Sequence, residues 1–562
     1  MSIQRKIVDD NFSVSSQPTQ EEIAELAAAG VRSLICNRPD GESNDQPTIE
    51  EIRDAAAALG VEVVHVPVVS GQFDDADIDA FARAMDRLEA PVHAYCRTGT
   101  RSITMWSLVQ KRRGVATEEL LRIAGNCGYD LSNALGTQQT TPDSQGVAAK
   151  DHFDVLIVGA GAAGIAAAAS LVVRRQDLRV GIIDPAEVHY YQPGWTMVGG
   201  GIFTQEETVK TMASLIPAGV HWIKAAVGVF EPEKNQLRLE DSHPISYDRL
   251  IVAPGIKLDW HGVDGLVETL GRNGVTSNYR FDLAPYTWQL VSSLSEGRAV
   301  FTQPPMPIKC AGAPQKAMYL SADHWRRRGV LGRIDIQFCN AGGALFGVKE
   351  YVPALMEYVE AYGAELKFNH RLTRIDGEAG KAWFAVTGDD GEVSETTVDF
   401  DMIHVCPPQT APDFIRESPL ADDAGWVDVD QNTLRHKRYD NIWSLGDAMN
   451  APNAKTAAAA RMQAPIVVNN LLHDMGKAPA VSHYNGYGSC PLTVERGKIV
   501  LAEFGYGGKL LPSFPRWLIN GQRPSRLAWL LKEKILPPVY WKAMLRGREW
   551  MVGPERSRVG SD

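Results

Sequence analysis

Apolar and polar positions follow two rhythms over the first 135 residues. Short apolar runs at Ser33–Asn37, Val61–Val69 and Val92–Tyr95 predict strands. Stretches with apolar residues three and four apart, at Thr19–Ala29, Ile49–Leu59, Asp75–Leu88 and Ser102–Arg112, predict helices. Their alternation implies an α/β unit. Residues 136–150, GTQQTTPDSQGVAAK, are small, polar and turn-rich and predict a linker. A second α/β block runs from 151 to about 475, and a last stretch, 476–562, is rich in Pro, Trp and Arg. Val155–Val173 holds 19 residues without a charge, about the length of a membrane span. Its apolar content is mostly Ala and Gly, however, and a nucleotide-binding motif explains it better.

That motif opens the second block. The apolar strand Val155–Val158 runs into Gly159, Gly161 and Gly164, with Ala162 and Ala163 beginning an Ala-rich helix. A second strand, Val180–Ile183, ends at Asp184, 20 residues after Gly164. Strand, glycine spacing and acid together make a dinucleotide fingerprint: a tight turn, close approach to a pyrophosphate, and a carboxylate for a ribose hydroxyl. Two later segments favour FAD over NAD. The strand Tyr247–Ala253 enters a Pro254-Gly255 turn and resembles the return to the FAD domain in flavoproteins with two dinucleotide domains. Asn441–Leu445 ends in Gly446-Asp447, resembling the pair that bonds the flavin ribityl chain. A helix starting around Lys455, Thr456 and Ala457 places an N-terminus where it would stabilise negative charge. After the strand Ile334–Phe338 the chain reads Cys339-Asn340-Ala341-Gly342-Gly343-Ala344, which lacks a second fingerprint, so the nicotinamide site looks degraded. The expected division is 151–265 with 430–475 for FAD, 266–429 for a second Rossmann-like domain, and 476–562 for a C-terminal region.

The composition narrows the function classes. Fifty-seven basic residues against 68 acidic ones give a net charge of -11, which excludes a general nucleic-acid binder. The N-terminus lacks a signal-peptide pattern, so a cytoplasmic location is expected. Seven cysteines include no C-x-x-C pair, so neither a metal site nor a thioredoxin-type motif is expected. Cys310 lies between Lys309 and Lys316, whose charges would favour a thiolate, and Cys490 follows a turn in Tyr487-Gly488-Ser489-Cys490-Pro491. Cys339 and Cys406 read as buried small hydrophobes.

Residues 152–562 resemble the sulfide:quinone oxidoreductases of the animal mitochondrial type. The stretches that carry the resemblance include HYYQPGWTMVGGG (189–201), IKCAGAPQKAMYLS (308–321), ALFGVKEY (344–351), YGSCPL (487–492) and YWKAMLRG (540–547). The resemblance implies that Cys310 and Cys490 form the redox pair beside the flavin. It also implies that Asp184, Gln192, Val227, Asp447 and Lys455 contact FAD. Sulfide would be oxidised to sulfane sulfur, two electrons would pass to a membrane quinone, and a small thiol would accept the sulfur. A quinone requires access to a bilayer. From Lys509 to Arg558 there are eleven Lys or Arg against Glu533, Glu549 and Glu555, interleaved with Phe514, Trp517, Leu518, Leu527, Trp529, Leu530, Leu531, Ile535, Leu536, Tyr540, Trp541 and Trp550. Such a segment suits the surface of an anionic bilayer, here its cytoplasmic face; the competing reading is a helix packed on the core. A homo-oligomer is compatible with the sequence.

In the first block, the strand Val92–Tyr95 leads into Cys96-Arg97-Thr98-Gly99-Thr100-Arg101 and then a helix, a loop whose backbone N–H groups would form an anion nest around a nucleophilic Cys96. The spacing is C-x4-R, shorter by one than the C-x5-R loop of cysteine phosphatases, and matches the rhodanese family, whose cysteine carries a persulfide. The surrounding FSVSSQPTQEEIAELAAAGVRSLICNRPDGE (12–42) resembles the phosphatase-like domain fused to β-lactamase-like hydrolases. That resemblance implies a dual-specificity-phosphatase-like fold. Asp74 or Asp75 would serve as a general acid or, more simply, as a helix cap. The expected whole is a phosphatase-like α/β domain with a sulfurtransferase loop, Cys96 and Arg101 at its centre. It is followed by a tandem Rossmann-like flavoprotein with an amphipathic membrane-surface segment. Open alternatives are a true phosphatase or sulfide sensor at the N-terminus, and a different electron donor.

Overall fold

The structure is a computed structural model that describes residues 5–42, 46–68, 75–127, 129, 131, 135 and 151–549. The chain forms two compact units, residues 1–153 with 225–247, and residues 154–224 with 248–562. The expected linker 136–150, Asp74 and everything beyond residue 549, including Trp550, lie outside the described residues.

In the first unit, β1 (Lys6–Asp9) and β2 (Phe12–Ser15) pair antiparallel. Then come α1 (Gln20–Ala28), β3 (Ser33–Cys36), α2 (Ile49–Ala57), β4 (Glu62–His65), α3 (Asp75–Arg87), β5 (Val92–Tyr95), α4 (Thr100–Arg112) and α5 (Thr117–Asn126). The sheet order is β1-β2-β5-β3-β4, parallel from β2 onward. The period-2 alternation of the strands divides the core into two layers. Ile35 and Ala94 pack with Phe81 of α3, Trp106 of α4 and Leu120 of α5, whereas Leu34, Cys36 and Tyr95 pack with Ile23 of α1 and Ile52 of α2. Thr19 and Thr48 close reciprocal capping boxes with Glu22 and Glu51, which fixes where α1 and α2 begin. His93 is buried between Ser13 Oγ and Ser15 Oγ, both at 2.9 Å, and burial lowers its pKa to about 3, so it stays neutral. Asp75 opens α3 and pairs with Arg112 on the surface.

The second unit is built on two parallel sheets. In the first sheet, β6 (His152–Val158) leads through Gly159–Gly161 into α6 (Ala162–Arg174) and back to β7 (Val180–Ile183). Val220–Ile223 flanks β7, Leu250–Val252 lies on the other side of β6, and Ile442–Ser444 pairs with it in parallel. The second sheet pairs Val275–Thr276, Met402–His404, Gly297–Gln303, Ile334–Asn340 and Glu365–Phe368 in that order, all parallel. After Asn340 no helix starts directly: Asn340 Oδ1 accepts from Gly342 N–H at 2.9 Å, Nδ2 donates to Ala344 O at 2.8 Å, and the next α-helix begins at Val352. The hairpin Gly488–Glu495/Lys498–Phe504 packs Leu492, Val494, Val500 and Ala502 into the core of this second sheet.

Candidate functional site

The carboxyl ends of the first sheet's strands converge on one cavity of about 460 Å³, the place where open α/β sheets hold ligands. Gly159 sits at φ +96°, and a Cβ there would lie 2.5 Å from Ala253 O. A Cβ on Gly164 would meet Gly159 O at 1.8 Å, so α6 rests directly on the turn. At Gly161 a Cβ would enter open space, which leaves the backbone bare to whatever lies in the cavity. This is the cradle a pyrophosphate needs. Asp184 lines the wall, its carboxylate accepting from Ala160 N–H at 2.6 Å and Ala186 N–H at 2.8 Å. Burial pushes its pKa up. Ala162, Ala163, Gln192, Gly255, Gly446, Asp447, Lys455, Thr456 and Ala457 also line the cavity. Val227 is buried in the hairpin of the first unit and is not among the lining residues. Thr456 caps the helix Ala457–Asp474 through Ala459 N–H at 3.2 Å, and Lys455 Nζ donates to Asp447 O and Met449 O at 2.7 and 2.8 Å. Burial lowers Lys455 to about 8. The bare glycine turn, the acid after β7 and the helix N-terminus at the far end together fit FAD.

Cys310 stands on the same wall, at φ +51°, a region that non-glycine residues seldom occupy. Its N–H donates to Lys455 O at 2.8 Å, which ties the strained residue to the helix cap. Cys310 Sγ lies 3.7 Å from Cys490 Sγ, well beyond a disulfide bond, so both sulfurs are free. Lys316 Nζ reaches Cys310 Sγ at 3.0 Å from the first turn of the helix Ala313–Arg327. The hydrogen bond from Cys490, working against burial and joined by Lys316 and Lys532, holds Cys310 well below the usual thiol range. The same hydrogen bond and burial push Cys490 up. The two shifts run in opposite directions, so Cys310 is the sulfur of the pair on which negative charge is favoured. Of the two lysines flanking Cys310, Lys309 turns away and donates to Gln192 Oε1 at 2.7 Å. Cys339 and Cys406 are buried, and burial raises each to about 12, in keeping with inert packing.

Lys532 is a residue that the sequence pattern misassigns. Counted with the basic stripe, it is in fact 3 % exposed, lines the cavity and donates to Pro193 O at 2.8 Å. Burial and the neighbouring Lys316 lower it to about 7. The C-terminal segment is packed against the core along part of its length and exposed along the rest. Trp529, Leu531, Tyr540 and Trp541 are buried, and Tyr540 OH meets His189 Nε2 at 2.6 Å. Trp517, Leu518, Leu527, Leu530 and Ile535 remain exposed, Trp517 at 84 %. No helix among the described residues is long and apolar enough to cross a membrane.

In the first unit Cys96 is fully buried and its Sγ accepts from Gly99 N–H at 3.1 Å. Gly99, at φ +89°, is required there, since a Cβ would fall 2.1 Å from Tyr129 OH. Arg101 donates to Val68 O at 2.8 Å and pairs end-on with Glu42, Nη1 to Oε1 at 2.7 Å and Nη2 to Oε2 at 2.8 Å. Glu42 also accepts from Arg38 Nε at 2.7 Å. Burial works to raise the Glu42 carboxyl, but the two arginines prevail and hold it below its usual range. Arg97 pairs with Glu240 of the 225–247 hairpin, which also accepts from Thr98 Oγ1 at 2.8 Å. Glu42 and Arg101 are 59 positions apart, and no local spacing or motif connects them.

Two family models match. Residues 4–113 match the phosphatase-like domain of beta-lactamase hydrolase-like proteins, and residues 153–287 match the pyridine nucleotide-disulphide oxidoreductases. The cavity and the second match together define an FAD-dependent flavoprotein oxidoreductase of Rossmann type, carrying an N-terminal phosphatase-like domain. The mitochondrial sulfide:quinone oxidoreductase of Dictyostelium discoideum is 42% identical over 402 residues, 71% of this chain and 87% of that one. That of Mus musculus is 39% identical over 417 residues, covering 74% and 92%. The chain belongs to the sulfide:quinone oxidoreductase family. The solved sulfide:quinone oxidoreductase of Aquifex aeolicus shares the fold, with a TM-score of 0.59, 18% identity, and coverage of 71% of this chain and 92% of that one. At the N-terminus, a beta-lactamase hydrolase-like protein of Xylella fastidiosa is 35% identical over 133 residues, 23% of this chain and 31% of that protein.

Proposed function

We propose that this chain oxidises sulfide at the Cys310–Cys490 pair, passes two electrons through FAD to a membrane quinone, and handles the resulting sulfane sulfur at Cys96. The observation that carries the reading is the sulfur pair 3.7 Å apart, with Lys316 on Cys310 and Cys310 in the wall of the cavity that the glycine turn lines. In the oxidised pair, hydrosulfide attacks one sulfur of a disulfide or sulfur-bridged form; the S–S bond breaks, leaving a persulfide on one cysteine and a thiolate on the other. Cys310 is the expected persulfide carrier, and Lys316 would hold its negative charge. Bound FAD supplies the acceptance of an electron pair and its onward delivery. Asp184 would hold its ribose, Gly159–Gly164 its pyrophosphate, and Lys455 with the helix N-terminus the charge that develops at its far end. A small thiol attacks the outer sulfur of the persulfide and carries it off. The S–S bond to Cys310 breaks with Cys310 leaving as thiolate, and re-forming the bond between Cys310 and Cys490 would release the electron pair that FAD accepts.

Exposed Trp517, Leu518, Leu527, Leu530 and Ile535, interspersed with Arg516, Arg523, Arg526 and Lys534, support seating on an anionic bilayer. At Cys96, the Gly99 N–H bonded to its sulfur and the nearby charge of Arg101 support the sulfur-handling reading. The test is anaerobic reduction of the flavoprotein by sulfide. Bleaching in wild type and Cys96→Ala, lost in Cys310→Ala and reversed by a soluble ubiquinone analogue, is the expected pattern. A flavin left oxidised by sulfide in wild type would refute the donor. Robust Cys96-dependent hydrolysis of p-nitrophenyl phosphate would refute the sulfurtransferase reading and favour a phosphatase.

A further inference from the structure

The C-terminal hairpin has two chemically different faces. Its strand residues alternate, so Cys490 and its cross-strand partner Ala502 point into the core beside Cys310, whereas Ser489, Leu501 and Glu503 line the cavity. On that cavity face the wall is largely apolar, with Leu501, Phe514, Leu531 and Leu536 among its residues. Glu503 is an exception: a carboxylate only 4 % exposed. Tyr487 OH donates to its Oε1 at 2.7 Å, Ser513 N–H donates to its Oε2 at 3.1 Å, and Tyr487 OH is 3.0 Å from Ser513 Oγ. Ser513 itself is exposed. An unbroken hydrogen-bonded line therefore runs from solvent through Ser513 and Tyr487 to a buried carboxylate on an apolar cavity wall.

We propose that Glu503, fed through Tyr487 and Ser513, delivers protons to the quinone as it is reduced. This rests on the quinone reading above. Reduction of a quinone to a quinol takes two electrons and two protons. The electrons come from the sulfide–flavin chemistry; protons drawn from solvent through this line reach the quinone's carbonyl oxygens, and Glu503 is reprotonated along the same path. Tyr487 relays rather than ionises, because burial and Glu503 both push its pKa up. The other titratable or charged groups near the line are Tyr351, which donates to Glu503 O at 3.0 Å, Glu350 beside it, and Arg461 on the helix Ala457–Asp474 near Tyr487. Lys532 is the competing proton donor on the wall, but it is engaged with Pro193 O on the sulfur side.

The experiment is stopped-flow re-oxidation of the sulfide-reduced holoenzyme by decylubiquinone, from pH 6 to 9, in H2O and D2O. General acid catalysis contributes about 10²–10⁴-fold, so Glu503→Gln should slow re-oxidation at least tenfold. It should also reduce the solvent isotope effect of that step. Sulfide-driven bleaching is the internal control. Glu503→Asp should slow the step less than Glu503→Gln does, and Tyr487→Phe should slow it several-fold; both serve if the Gln variant folds poorly. Binding of decylubiquinone to the oxidised enzyme, read by tryptophan quenching, should stay within threefold. A wild-type re-oxidation rate and solvent isotope effect in Glu503→Gln would overturn the proposal, as would equal slowing of bleaching and re-oxidation, or re-oxidation slowed by Lys532→Met but not by Glu503→Gln. Failure of decylubiquinone to re-oxidise the wild-type flavin would instead overturn the quinone reading.

Discussion

Replacing Lys316 by Met tests the electrostatics of the sulfur pair directly, because it keeps the side-chain volume and removes one charge. Lys316 Nζ lies 3.0 Å from Cys310 Sγ. At an effective dielectric constant of about 20, two unit charges at that distance interact by about 5.5 kcal/mol. At about 1.36 kcal/mol per unit, that corresponds to about 4 pKa units as an upper bound. Water entering the site and the remaining Lys532 offset part of this, so the Cys310 pKa should rise by at least about 2 units in Lys316→Met, cutting the thiolate fraction roughly 100-fold over the affected range. The assay is alkylation by iodoacetamide of the reduced, FAD-loaded protein at a series of pH values, followed at the Cys310 peptide by mass spectrometry. Lys309→Met is the control, since Lys309 donates to Gln192 and makes no hydrogen bond to the sulfur; its shift should be smaller. A Lys316→Met alkylation curve displaced by less than half a unit would refute the view that Lys316 sets the thiolate.

Lys532 carries a pH signature of opposite origin. Its pKa falls in the fold to about 7, so between about 7 and its ordinary value the unfolded chain binds a proton that the folded one does not, and stability rises with pH across that window. Lys532→Met should therefore raise Tm more at pH 6 than at pH 9; an equal gain at both would contradict a buried charge. Gly164→Ala drives a Cβ against Gly159 O and should lower flavin content per chain at least tenfold, read from the visible absorbance of purified protein. Trp517→Ser with Leu527→Ser removes two exposed apolar anchors; burying each contributes about 2 kcal/mol, so binding to phosphatidylglycerol vesicles should weaken by roughly 30-fold per anchor, roughly 1,000-fold for the pair. Unchanged vesicle binding would assign those residues another role. Glu42→Gln frees Arg101 from an end-on carboxylate pair and should make Cys96 easier to alkylate, with β3 and β5 unaltered by circular dichroism.

The parts of the fold that the sequence pattern made legible are those where one short segment carries the whole signal. The glycine turn after β6 and the acid after β7 lie within a 26-residue stretch, each with a backbone reason for its residue type, and the structure places both on one cavity wall. The strands Ser33–Cys36 and Val92–Tyr95 were legible in the same way. The β1–β2 pair was not, because two four-residue strands at the chain start give too few alternations to count. Lys532 failed for a different reason. Along the sequence it is one of eleven basic residues in a Trp-rich stretch, and only the bend that buries Trp529 and Tyr540 turns it inward to face Cys310 across more than 200 positions. Glu503 carries no signal in the sequence for the mirror-image reason, and Tyr487 stands there only as a neighbour of Cys490. Cys490 is the chemistry-bearing residue of that hairpin, yet period-2 alternation sends the cysteine to one face and the carboxylate to the other. Pairing thereby puts Cys490 and Glu503 on opposite faces of one hairpin, a separation that exists only once the strands have paired.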